Sequence, residues 1–335
     1  MIGFPPARAA GFAAVLTVLC AAATLLSVSA GAHPTGLGRA LIFLWADDGT
    51  NASYAVRELR LPRALCAAGV GAALALSGAL IQVVIRNPLG DPGLTGVTAG
   101  SAFGVAISLT LLTAAPTLLV AAGICGGALA AALTFLLARS DAGLEPLRVI
   151  LAGIAVAVFF LAATSAVMIV SRSSMQTLYF WMVGGFINRG WAEWALFWPL
   201  ASLAGLAVFA ITPLLRLLQF DDATAASLGA SAGLGRIAAV ALSVILAAVS
   251  VAVAGPLAFV GFVAPHLARL GLGARYPDMA TWLAVSALAG AALVASADAA
   301  TRSLFAGRVP AGALITILGG VVFLALARRG FDNAR

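Results

Sequence analysis

The stretch RLPRALCAAGVGAALALSGALIQVVIRNPLGDPGLTGVTAGSAFG, residues 60–104, decides the fold. From Leu65 to Val84 it is apolar for about 20 residues, which at roughly 1.5 Å per residue crosses a hydrocarbon core of about 30 Å. Pro88 and Pro92 lack an amide hydrogen and push the preceding Asn87 and Asp91 out of the α region, so Arg86 to Pro92 reads as a tight polar turn. Beyond it Gly96, Gly100 and Gly104 recur every four residues and leave a side-chain-free stripe that another helix can approach closely. The stretch therefore reads as two membrane-spanning helices joined by a turn.

Composition agrees. The 335 residues are 62% apolar and only 9% charged, against roughly 25% charged in soluble domains, so the chain cannot cover itself with a wettable surface. The net charge of +7 is carried by arginine alone, because no lysine occurs. These arginines are scattered singly, a pattern of topology and docking and not of a nucleic-acid footprint. Cys20, Cys66 and Cys125 fall inside apolar runs without metal-ligand spacing and read as small buried hydrophobes.

Working outward, further apolar runs cover Ala9 to Ala30, Thr117 to Ala138, Val149 to Val170, Trp191 to about Arg216, Ile237 to Ala254, Met279 to Ala297 and Val309 to Ala327. A short run, Leu257 to Arg269, is broken by Gly255-Pro256 and Pro265-His266; irregular backbone of this kind is tolerated at membrane depth only where protein buries it. The expected architecture is an all-α integral membrane protein of about ten transmembrane helices in one domain, residues 1–335. Ala30-Gly31-Ala32 also resembles a signal-peptidase site, but an apolar run of about 20 residues suits a span better. With the amino terminus inside, arginines on the inner side outnumber those outside, as the positive-inside rule requires.

The order Arg60-Leu61-Pro62-Arg63, Gly71 to Ala79, Gln82, Arg86-Asn87-Pro88-Leu89, Pro92 and Gly96 resembles the permease subunits of the iron-siderophore, haem and vitamin B12 importers driven by ATP-binding-cassette proteins. A second block, Gly255-Pro256 through Phe259, Gly261, Pro265-His266 and Arg269, resembles them again. The resemblance implies a type II importer permease: a homodimer in the bacterial inner membrane, with two cytoplasmic ATP-binding subunits and a periplasmic substrate-binding protein. It implies a coupling segment within about residues 219–236, carried by Asp221, Asp222, Ala225, Leu228 and Gly229. Residue chemistry supports the segment, since aspartates suit a helix start and glycine its end. The resemblance further implies a cytoplasmic gate at Asn87 and Leu89 and an outer docking surface for the binding protein at Arg60, Arg63 and Arg302. Asp298 is expected at a span end, with Arg302 in the loop beyond it. Two departures concern the last outer loop and the last span: Arg308 stands where the family carries Glu, and Val321 follows Gly319-Gly320 where a Pro is common.

The half-apolar stretch from Ser171 to Arg189 offers Met175, Tyr179, Met182 and Phe186 as candidates to line the pathway, although Tyr179 also suits an interfacial belt. A flat macrocycle fits such residues, and the sequence Asp91 to Val97 looks closer to the haem and vitamin B12 branches, so haem is the expected cargo, with cobalamin or a ferric siderophore as alternatives. Enzymatic chemistry is missing from the motifs. A P-loop needs a lysine, the two histidines are far apart, and no cofactor or metal motif is present. His266 reads as a structural histidine. A secondary transporter, the rival class, places ionisable residues mid-membrane, and these spans carry almost none.

Overall fold

The computed structural model describes residues 6–31, 34–111, 115–140, 143–170, 182–220, 232–273, 278–305 and 307–332. Twelve helices are seen among them: α1 (Pro6–Ser29), α2 (Leu37–Trp45), α3 (Asn51–Val84), α4 (Val97–Leu111), α5 (Pro116–Leu137), α6 (Pro146–Val170), α7 (Trp191–Ala210), α8 (Thr212–Leu217), α9 (Ala232–Ala254), α10 (Val260–Leu272), α11 (Met279–Phe305) and α12 (Ala311–Asp332). A two-residue hairpin, Arg139–Ser140 against Gly143–Leu144, joins α5 to α6. Seven of the described helices are long and apolar enough to cross a membrane, and α4, α10 and the apolar part of α12 are shorter. Together they make the ten expected spans.

The helix α3 is the centre. Its most apolar window is 78% buried, whereas those of α1 and α7 are 11% and 17% buried, so these two lie at the periphery with their apolar sides toward lipid. Around α3 pack α11, α9, α10 and α7. It starts earlier than its apolar run suggests: Thr50 Oγ1 accepts from the Ser53 amide as an N-cap, and residues Ala55–Arg60 form a π-turn before Pro62.

Close approach at α3 depends on missing side chains. A Cβ on Gly71 would overlap the Gly290 carbonyl of α11, and one on Gly78 would overlap the Gly261 backbone of α10. The glycine stripe of α4 meets α5 in the same way, Gly100 against Gly126 and Gly104 against Ala122.

Two expectations change. Residues 298–305 continue α11 as helix, because the one acidic side chain that would interrupt a span, Asp298, is neutralised inside the protein. The broken helix is reached through non-helical residues 255–259, with Phe259 in the left-handed region at φ 64°. Pro265 cannot donate to the carbonyl four residues back, which leaves Gly261 O to accept Gln82 Nε2 from α3 at 3.2 Å.

Candidate gate, docking and coupling sites

The inner turn is held by its own side chains. Asn87 Oδ1 accepts from the Leu89 amide at 2.9 Å and Asn87 O accepts from the Gly90 amide at 3.1 Å, while Arg86 takes a left-handed conformation at φ 51°. Gln82 Nε2 donates to Gly90 O as well as to Gly261 O, and its Oε1 accepts from Arg269 at 2.6 Å. The turn is thus fastened to α10. On its other side Arg86 Nε donates to Leu218 O at 2.8 Å, three residues before Asp221. Asp221, Asp222, Ala225, Leu228 and Gly229 themselves lie outside the described residues.

Asp91, next in the turn, is buried with its Oδ1 accepting from the Gly93 amide at 2.7 Å. Burial pushes its carboxyl up to about 6, against the opposing pull of the Gly93, Phe262 and Leu94 amides. A carboxyl that holds its proton more tightly when folded adds stability below about pH 4, and that stability is lost as pH rises through about 6. The melting temperature gained by Asp91→Asn should therefore be greater at pH 8 than at pH 4.5, by roughly 4 °C. A gain that does not change with pH would show the carboxyl is not perturbed.

The outer arginines do converge, but inward. Arg60 NH1 donates to Val28 O, Ser29 O and Thr35 Oγ1 at 3.2–3.3 Å, and Arg302 donates to Ala30 O at 2.6 Å and Ser27 Oγ at 3.1 Å. These carbonyls end α1, where a helix has no partners of its own for them and its dipole favours cations. Arg63 grips Asp298 through NH2 at 2.6 Å and Nε at 3.1 Å, and Ser27 Oγ donates to the same carboxylate at 3.0 Å. Asp298 is 0% exposed, Arg302 6% and Arg60 8%. In this conformation Arg60 and Arg302 form a buried clamp on the end of α1 and Arg63 is held on Asp298 of α11, so the three do not make an open docking surface. Sequence reading missed the partners because they lie 25–32 residues before Arg60 and 272–275 before Arg302, and three of them are backbone carbonyls, which leave no mark on a sequence.

Of the pathway candidates, Met175 and Tyr179 lie outside the described residues. Met182 lines a cavity of about 570 Å³ with Asp91, Thr98, Phe259, Ala313 and Ile317. Phe186 does not face it: the ring is 0% exposed and packs into the main core, because Gly185 N donates to Ala254 O at 2.7 Å and draws the loop onto α9. His266 is stacked on Phe262, ring centres 6.2 Å apart. Among the described residues no three metal-ligating side chains lie together.

Residues 19–329 match the sequence profile of the FecCD transport family. The chain belongs to that family. It is similar to the Fe(3+)-citrate import system permease protein YfmD of Bacillus subtilis (strain 168), 36% identical over 307 residues, covering 91% of this chain and 90% of that one. It is also similar to the ferric enterobactin transport system permease protein FepG of Escherichia coli (strain K12), 32% identical over 315 residues, 93% and 94% of the two chains. A solved structure assigned to an inward-facing metal-chelate type ABC transporter superposes with a TM-score of 0.78 at 29% identity, covering 96% of this chain and 99% of that one. The FecCD permease is thus a multi-pass transport subunit of the bacterial inner membrane and not an enzyme.

Proposed function

We propose that this FecCD permease carries a ferric chelate of the citrate or siderophore type inward, as a homodimer served by two ATP-binding subunits and a substrate-delivery protein. The observation that carries the reading is the near full-length similarity to permeases named for ferric citrate and ferric enterobactin. These names weigh more than the aromatic and methionine residues that suggested haem, because Phe186 is a core residue. The Asn87 to Leu89 turn closes the inner end of the path, and its Arg86 bond to Leu218 supports a direct mechanical link to the coupling residues that follow. Arg63, the most exposed of Arg60, Arg63 and Arg302 with 14% of its side chain accessible, is the one of the three placed to meet a carboxylate of the delivery protein.

The test is ATP hydrolysis in proteoliposomes containing the complete complex, with delivery protein loaded with ferric citrate, a ferric siderophore, haem or cobalamin. Stimulation by a ferric chelate is expected; stimulation by haem or cobalamin alone would overturn the cargo. In the same vesicles Leu228→Glu with Gly229→Arg should abolish transport while the permease still folds. Persisting transport would remove the coupling role. Cysteines at position 89 of both subunits should cross-link in the closed state, and failure in every nucleotide state would move the gate elsewhere.

A further inference from the structure

A second cleft, of about 730 Å³, lies between α5 and α9 and shares no lining residue with the cavity beside Asp91. The two helices meet in their outer halves, where a Cβ on Gly127 would stand 3.3 Å from Val244 and one on Gly123 would stand 3.5 Å from Ala248 O. Toward the inner surface they part, and Val84 of α3 lies at the floor of the gap. The walls are apolar, among them Ala132 and Phe135 on α5 and Ala241 on α9, and the charged lining residues among the described ones are Arg139, just past α5, and Arg236, in the opening turns of α9.

Length and charge identify the occupant. From Ile124 to Arg139 the lining covers about 22 Å at roughly 1.5 Å per residue, so the cleft runs from the inner headgroup level to about the middle of a 30 Å core. At that depth the bilayer offers an acyl chain to fill an apolar gap. At the mouth, two guanidiniums suit a phosphate, which they can grip in bidentate fashion, and the positive end of the α9 dipole adds to them. Among the described residues no carboxylate lines the cleft. We infer that it binds one anionic phospholipid of the inner leaflet, its acyl chain between α5 and α9 and its phosphate at Arg139 and Arg236.

Native mass spectrometry of the full-length protein, titrated with phosphatidylglycerol and phosphatidylcholine, reads this directly. Phosphatidylglycerol should be held about tenfold more tightly, the equivalent of roughly 1.4 kcal/mol. Arg139→Gln with Arg236→Gln should bring it down to the phosphatidylcholine level, while Arg139→Lys with Arg236→Lys should keep most of the preference. Ala241→Trp, which fills the cleft and leaves both arginines in place, should weaken both lipids. Equal binding of the two lipids by the unaltered protein would overturn the inference, as would an unchanged preference in the glutamine variant or undiminished binding in Ala241→Trp. Millimolar inorganic phosphate should not displace the lipid; full displacement would mean a free-anion site and would overturn it too. Should the glutamine variant fail to fold, the two-lipid comparison and Ala241→Trp still decide.

Discussion

Replacing Gly78 by valine is expected to remove nearly all folded permease from the membrane. The residue sits where α3 and α10 touch backbone to backbone, and any Cβ there overlaps the Gly261 carbonyl and Cα. Ordinary overpacking of a core costs about 1–3 kcal/mol because side chains can turn aside. Backbone atoms cannot, so the helices must separate, and with them go the Gln82 bonds to Gly90 O and Gly261 O that seat the inner turn. A cost above about 3 kcal/mol is a large part of a total stability of about 5–15 kcal/mol. Yield of monodisperse protein in mild detergent measures it, with Gly205→Val on α7 as the control, since a Cβ there meets only Leu76 at 3.8 Å. Equal yields of the two variants would refute the close-contact account.

The second large effect is expected at Asp298. Asp298→Ala strands Arg63, and it frees Ser27 from the carboxylate that places it for Arg302. Removing one partner of a buried pair costs about 3–5 kcal/mol, mostly through the charge left behind. Thermal unfolding in detergent should show it as a fall of several degrees, and Asp298→Asn with Arg63→Gln, which removes both charges, should recover most of the loss. A single variant that melts like the parent protein would mean that water replaces the pair at no cost. The clamp also changes how docking experiments are read. Arg60→Glu with Arg63→Glu would set carboxylates against Asp298 and the carbonyl end of α1, so loss of transport in that variant reports α1 coming loose. Asp298→Asn with Arg63→Gln, which leaves no buried charge unpaired, isolates contact with a delivery protein once its melting is matched to the parent.

How far the sequence reveals these features depends on the range of the interaction. The turn at Asn87 to Gly90 was legible because proline and asparagine act on their own neighbours: the Asn87 side chain closes the turn on Leu89. The glycine spacing likewise foretold close packing, although not that Gly78 would meet Gly261, 183 residues away. Asp298 misled in the other direction. A carboxylate normally ends a span, and only the position of Arg63 in the folded protein lets α11 run through it to Phe305. Phe186 was open to two readings, since an aromatic ring in an apolar loop satisfies a pathway and a core alike. What separates them is the Gly185 bond to Ala254 O, which no local pattern encodes.

The paired glycines also govern which second mutations could ever rescue a first. Where a side chain crowds a side chain, a neighbour can shrink and restore the fit. At Gly71 with Gly290, and at Gly78 with Gly261, both members have already shrunk as far as an amino acid can. A suppressor of damage there has to act at a distance, by letting one helix slide or tilt against α3. The centre of the bundle is thereby closed to stepwise repair, and change in this protein is left to its lipid-facing helices and loops.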